Sequence, residues 1–175
     1  MSLAVVAYPE LSTGDYDRIQ AFREVNDELY FHMVEPHFTC VFPIQGMDQK
    51  LFMNEIQNQI VGFQRFEFCL RCTVLNKDAF IDIYHAFLVP DEGYSQMVKL
   101  HDRLYGGKLF QHRFFEIDFI PHLGIGNSEE PLICLEMIKH WNSADFVIPG
   151  LITSLDIVKI ENNSINTILN IPLTG

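Results

Sequence analysis

Apolar residues fall in short runs that alternate with longer stretches of helical spacing, and no linker interrupts them. Residues 3–8 are a continuous apolar run of strand length. Ser12 or Thr13 can cap a helix over residues 16–29, whose inward stripe of Ile19, Phe22, Arg23 and Asn26 is thin. A strand over 36–43 follows, then a helix over 48–61 with Leu51, Phe52, Ile56 and Ile60 on one face. Strands over 65–75 and 80–89 flank the turn-forming Asn76-Lys77-Asp78 and read as a hairpin.

The second half returns to the same order. A helix over 95–104 stops at Gly106-Gly107, a loop covers 108–118, and a strand covers 119–126. Asn127 or Ser128 can start a helix that runs through Trp141, with Pro131 tolerated in its first turn. Two strands close the chain: 147–161, interrupted near Pro149-Gly150, and 164–173, joined by a turn at Asn162-Asn163. Pro36-His37-Phe38-Thr39 in the first half is echoed by Pro121-His122-Leu123-Gly124 in the second, which suggests an internal duplication.

The echo carries the best chemical clue. Side chains alternate across a strand, so His37 and Thr39 share one face while Phe38 and Cys40 point into a core. His122 and Gly124 share a face in the same way, opposite Leu123 and Ile125. If two related lobes pack about a pseudo-twofold axis, the imidazoles meet in one groove although 85 positions separate them. Two facing histidines can serve as general base and general acid on opposite sides of a phosphorus, each contributing roughly 10²- to 10⁴-fold, without a metal.

Composition narrows the partners. With 175 residues, 48% hydrophobic and 20% charged, the chain is one domain or two intimately packed lobes with ample core material. A net charge of -11 disfavours long duplex nucleic acid and anionic membranes, which need many Lys or Arg contacts. The run at 3–8 is too short for a signal sequence or a membrane span, so a soluble cytoplasmic protein is expected. Its four cysteines are expected to be reduced thiols.

Paired His-x-Thr/Ser-x tetrapeptides at this spacing, each on a central strand, resemble the 2H phosphoesterase superfamily, specifically its 2'-5' RNA ligase-like (LigT-like) and cyclic phosphodiesterase members. His37-Phe38-Thr39-Cys40 fits fully; His122-Leu123-Gly124-Ile125 fits at the histidine and has glycine where the family has Thr or Ser. The resemblance implies an α+β fold of two pseudo-symmetric lobes, approximately 1–90 and 91–175 with terminal strands free to exchange. Each lobe is an antiparallel sheet with outer helices, and the two enclose a central groove. It also implies His37 and His122 as the catalytic pair, Thr39 as a phosphate-orienting hydroxyl, and no cofactor or metal. At Gly124 a backbone N–H would have to take the place of the missing hydroxyl.

The implied function is a metal-independent phosphoesterase in RNA processing, acting on a 2',3'-cyclic phosphate or a 2'-5'-linked nucleotide or RNA end. The alternatives left open are a nucleotide- or RNA-end-binding module that lost turnover at Gly124, and a structural domain with coincidental histidines. Basic residues cluster near the tetrapeptides: Lys99, Arg103, Lys108 and Arg113 against Asp102, and Lys50, Arg65, Arg71 and Lys77 against Glu55 and Glu67. They suit steering of a small phosphate ester, and Arg113 is the candidate substrate contact. Cys69 and Cys72 have metal-like spacing but face opposite ways on a strand, and no second pair completes a zinc site. His32, His85 and His140 are isolated and are expected at the surface or in the core, while Phe42, Tyr84 and Phe115 are candidates to stack on a base.

Overall fold

The computed structural model describes residues 1–162 and 164–175. The N-terminal apolar run is β1 (Ser2–Ala7), buried from Leu3 onward because strands pair with it on both edges. A two-residue strand, β2 (Glu10–Leu11), is too short to leave a periodic signal. Helix α1 (Thr13–Asn26) begins at Ser12, whose hydroxyl accepts the Asp15 N–H at 3.1 Å. It therefore starts and ends three residues before the expected span, and Asp27 is already non-helical. After β3 (Phe38–Gln45), helix α2 (Gln49–Gln59) is capped by Asp48, which accepts the Leu51 N–H at 2.9 Å.

The expected hairpin is β4 (Phe66–Lys77) and β5 (Tyr84–Glu92), joined by a longer loop than the sequence suggested. Asp78 holds that loop by accepting the N–H groups of Phe80 and Ile81, which delays the strand to Tyr84. Helix α3 (Tyr94–Leu104) buries Met97, Leu100 and Leu104, and a 3-10 helix (Gly107–His112) occupies part of the expected loop. The next strand, β6 (Leu123–Ser128), starts four residues later than expected. It contains Asn127 and Ser128, so neither caps the following helix, α4 (Pro131–Asn142), which opens on Pro131. Asn127 is instead drawn into long-range pairing, with its backbone beside His85 and its amide donating to Asp27.

The final apolar stretch breaks at Thr153, rather than at Pro149-Gly150, into β7 (Ile148–Ile152) and β8 (Ser154–Glu161). The reason is that the two pieces enter different sheets: β7 pairs with β4, and β8 with β1. The chain ends with β9 (Ser164–Pro172), antiparallel to β8. In the connecting turn Asn162 has φ of 51°, a conformation asparagine tolerates better than most residues, and Asn163 lies outside the described residues.

The fold is α+β with two antiparallel sheets, ordered β3-β1-β8-β9 and β2-β7-β4-β5-β6. Each sheet takes strands from both halves of the chain. One large core cluster spans both sheets and the helices; α4 packs on β4, β5 and β6, and α3 on β3 and β5. Fully buried anchors such as Phe52, Ile56 and Leu100 each contribute roughly 1.5–3 kcal/mol by the area they remove from water. β3 and β6 each begin immediately after a histidine, His37 and His122, and each is an edge strand of its sheet rather than the central strand expected from sequence. Among the described residues no helix is long and apolar enough to cross a membrane.

Candidate active site

The two tetrapeptides adopt the same local geometry. His37 Nδ1 lies 2.8 Å from the Glu35 carbonyl oxygen, and His122 Nδ1 lies 2.6 Å from that of Ile120. In both, a proline intervenes (Pro36, Pro121), fixing its own φ near -65° and restricting the residue before it to extended backbone. A carbonyl can only accept, so each Nδ1 carries the proton and each Nε2 is left with a lone pair. Alternation follows the sequence: Phe38, Cys40, Leu123 and Ile125 are buried, while Thr39 and Gly124 are half-exposed on the opposite face.

His37, Thr39, His122 and Gly124 line one cleft of about 260 Å³. Strands β1 and β8 (Val6, Val158), β5 (His85, Phe87) and the end of α1 (Arg23, Asp27) complete its walls. Among the described residues the Thr39 hydroxyl has no protein hydrogen-bond partner, so it is free for a ligand; its backbone is registered against Val6. Gly124 sits opposite Phe87 on β5, and a Cβ built there meets nothing within 4 Å. Gly126, two residues on, is the reverse: a Cβ would approach Met137 Sδ to 2.6 Å and the Asn26 carbonyl oxygen to 3.1 Å.

Burial disfavours charge on both imidazoles. The His37 pKa is lowered, chiefly by desolvation and further by the Arg23 guanidinium, with the Glu35 carbonyl and Asp27 opposing. His122 is pushed down to about 4 by desolvation, against the Ile120 carbonyl, and His37 and His85 lower it further. The second histidine also has the closer aromatic neighbour. Phe87 stacks on His122 with centroids 3.6 Å apart and planes at 14°, whereas Tyr8 meets His37 edge-on at 6.1 Å.

Arg113 does not line this cleft. It follows the 3-10 helix and is turned toward Asp102, with Nη2 at 2.7 Å from a carboxylate oxygen. It lines a neighbouring pocket that shares Phe42 and Pro43 with the cleft. The other counted cations are likewise absent from its lining; Arg71 pairs with Asp91 and Glu92, and Lys77 with Asp82. The cation that does line it is Arg23, fully buried, with Nε 2.9 Å from Asp27 and Nη2 2.8 Å from the Val34 carbonyl. Its sequence signal was an arginine on the buried stripe of α1. Asp27, Tyr30, Asp78, His85 and Asn127, none singled out as site residues from sequence, line the cleft too. Of the stacking candidates, Phe42 lines it, and Tyr84 and Phe115 do not.

Chemically the cleft offers two Nε2 lone pairs, a free hydroxyl, a carboxylate-paired guanidinium and an apolar floor. Among the described residues no group of three or more His, Cys, Asp or Glu side chains is placed to hold a metal ion. All four cysteines are free.

Residues 10–164 match the sequence profile of the 2'-5' RNA ligase superfamily. In three dimensions the chain is similar to the crystal structure of TT0787 of Thermus thermophilus, with a TM-score of 0.65 at 11% identity, covering 100% of this chain and 99% of that one. At such identity the likeness speaks to the fold. No curated protein matches the sequence.

Proposed function

The chain belongs to the 2'-5' RNA ligase superfamily, and from that membership and the geometry of its cleft we propose that it hydrolyses a 2',3'-cyclic phosphate or 2'-5' linkage on a nucleotide or RNA end. The superfamily's chemistry is phosphoesterase or RNA-ligase-like and acts on RNA and nucleotide substrates in general. The observation that carries the finer reading is the matched pair of Nδ1-to-carbonyl bonds, which leaves both Nε2 atoms available to one cleft.

In the proposed step a water oxygen bonds to phosphorus and gives its proton to one Nε2. The bond from phosphorus to the ribose oxygen breaks, and that oxygen takes a proton from the other Nε2. The pair must then hold one proton between them. Burial favours the neutral form of both, and the negative charge of a phosphate offsets the cost of an imidazolium, so the proton enters with the phosphate. The Thr39 hydroxyl donates to a non-bridging oxygen. The proposed setting is the cytoplasm, supported by the four free thiols.

The test is hydrolysis of nucleoside 2',3'-cyclic phosphates in EDTA by the wild type, His37→Ala and His122→Ala. Each variant should lose about 10²- to 10⁴-fold in kcat. Equal rates in all three, or activity that EDTA abolishes, would overturn the mechanism. A second reading, a binding module with weak turnover, draws on Gly124, which presents no side-chain donor where Thr39 presents one. Intact binding with a large rate gain in Gly124→Thr would support it, and a loss would mean that the glycine backbone belongs to a working site.

A further inference from the structure

The cleft contains a histidine that the proposed chemistry does not use. His85 on β5 is 6% exposed, beside Asn127 of β6. Its Nε2 lies 3.1 Å from Asp78 Oδ2, and Asp78 is itself fixed because Oδ1 accepts the N–H groups of Phe80 (2.7 Å) and Ile81 (3.0 Å). An ionised carboxylate only accepts, so Nε2 carries a proton, and in the neutral ring Nδ1 is the acceptor. This is the opposite tautomer to that of His37 and His122, whose Nδ1 atoms face carbonyls.

The surroundings limit what His85 can do. Phe87 stacks on it at 5.4 Å and 12°, and Tyr30 lies near-parallel at 6.3 Å and 29°. With two aromatic rings beside it and Asp78 on one nitrogen, what remains for a ligand is the other nitrogen. That atom is open. Among the described residues Trp141 Nε1 is the only fully buried side-chain N or O atom without a partner, so His85 Nδ1, which has no hydrogen-bond partner, is not fully buried, and the residue lines the cleft. Phe87 joins His85 to His122 in one column, so a ligand contact here lies next to the reacting groups.

We propose that His85, its tautomer set by Asp78, is a specificity-determining residue that accepts a hydrogen bond from the nucleoside part of the substrate. The donor is a base N–H or a ribose hydroxyl. The assignment rests on the cleft being a site for nucleotide phosphate esters, but not on turnover. His85→Phe keeps a flat aromatic ring in the column and removes the acceptor. Asp78→Asn presents Nε2 with an amide donor, which drives the proton to Nδ1 and turns the acceptor into a donor, while its carbonyl still serves the loop N–H groups.

Steady-state kinetics on the four nucleoside 2',3'-cyclic phosphates should show KM raised about tenfold in both variants, as expected for one lost hydrogen bond, with kcat within about threefold of wild type. Two further substrates locate the donor: methyl riboside 2',3'-cyclic phosphate lacks the base, and 5'-deoxynucleoside 2',3'-cyclic phosphates lack the free hydroxyl. A base donor makes the variant penalty vanish on the first, and a hydroxyl donor makes it vanish on the second. KM within twofold of wild type for every substrate in both variants would overturn the proposal. So would an equal penalty on bis(p-nitrophenyl) phosphate, which carries no nucleoside. If the wild type turns nothing over, the hydrolytic reading fails, and calorimetry with the same cyclic nucleotides judges His85 separately. A tenfold weaker Kd in the variants supports the assignment, and unchanged affinity or no wild-type binding overturns it. Asp78→Asn with an unshifted thermal midpoint serves if His85→Phe does not fold.

Discussion

The two histidine half-sites share a backbone and differ in nearly everything attached to it. Each begins an edge strand, each follows a proline, and each imidazole is tied through Nδ1 to the carbonyl two residues before it. Around His37 the neighbours are polar: a free hydroxyl on Thr39, the Arg23–Asp27 pair, and the edge of Tyr8. Around His122 they are apolar and bare, with the face of Phe87 above the ring and glycine at the position of the hydroxyl. The tautomer lock is a main-chain device and survives in both halves. What differs is the side-chain environment, so the halves should respond differently to the same kind of substitution.

The largest difference is expected at the hydroxyl position. Thr39→Val removes the one side-chain hydroxyl that the tetrapeptides supply and should lower kcat about 10²- to 10³-fold, the usual cost of a preorganised donor to a developing oxyanion. Gly124→Ala should change kcat little, because its methyl enters open space and removes no donor. Single-turnover rates on a cyclic nucleotide check both. A kcat loss in Gly124→Ala as large as in Thr39→Val would mean that the glycine backbone substitutes for the hydroxyl, and that the halves are functionally alike.

Within the second half, the two glycines of β6 separate room from necessity. Gly126→Ala forces a methyl against Met137 and the Asn26 carbonyl oxygen, where α1 crosses β6, and should cost about 1–3 kcal/mol of stability. Urea denaturation should show that loss for Gly126→Ala and a midpoint near wild type for Gly124→Ala. If both variants unfold alike, the space beside Gly124 is not available to a side chain.

Much of this half-site geometry is legible in the sequence, because strand alternation is local. Burial of Phe38, Cys40, Leu123 and Ile125 against the half-exposed faces of Thr39 and Gly124 follows from period-two spacing alone. What escapes is everything that depends on distant partners. Asn127 reads as a helix cap from its neighbours, yet its amide reaches Asp27, 100 positions away. Residues 147–161 read as one strand, because nothing local says that Ile152 and Ser154 pair in different sheets. Arg113 looked like a phosphate contact by proximity to Pro121-His122, but the 3-10 helix before it brings Asp102 within reach first. Arg23 was visible on the buried face of α1, but its charge gains meaning only beside Asp27 and the cleft.

The smallest expected effect distinguishes the two halves from a third histidine that mimics them. His101 donates Nδ1–H to the Cys40 carbonyl at 3.0 Å and stacks on Phe119 at 3.7 Å and 9°, nearly the arrangement of His122 on Phe87. Burial lowers its pKa to about 4, as it does for His122. Both are therefore neutral when folded and charge near pH 6.5 when unfolded. The unfolded chain binds more protons between about pH 4 and 6.5, so each histidine contributes stability that is full above pH 6.5 and is lost as pH falls through about 4. Thermal midpoints should decline over that window, and His101→Gln or His122→Gln should each flatten the decline. Stability against pH thus treats the two alike, and a ligand separates them. His101 does not line the cleft, so a saturating nucleoside 3'-monophosphate, with its negative charge beside His122, should raise the His122 titration midpoint in proton-detected NMR and leave His101 near 4. If the ligand moves both or neither, the depressed pKa of His122 is a property of packing, and the asymmetry between the two half-sites has no bearing on phosphate.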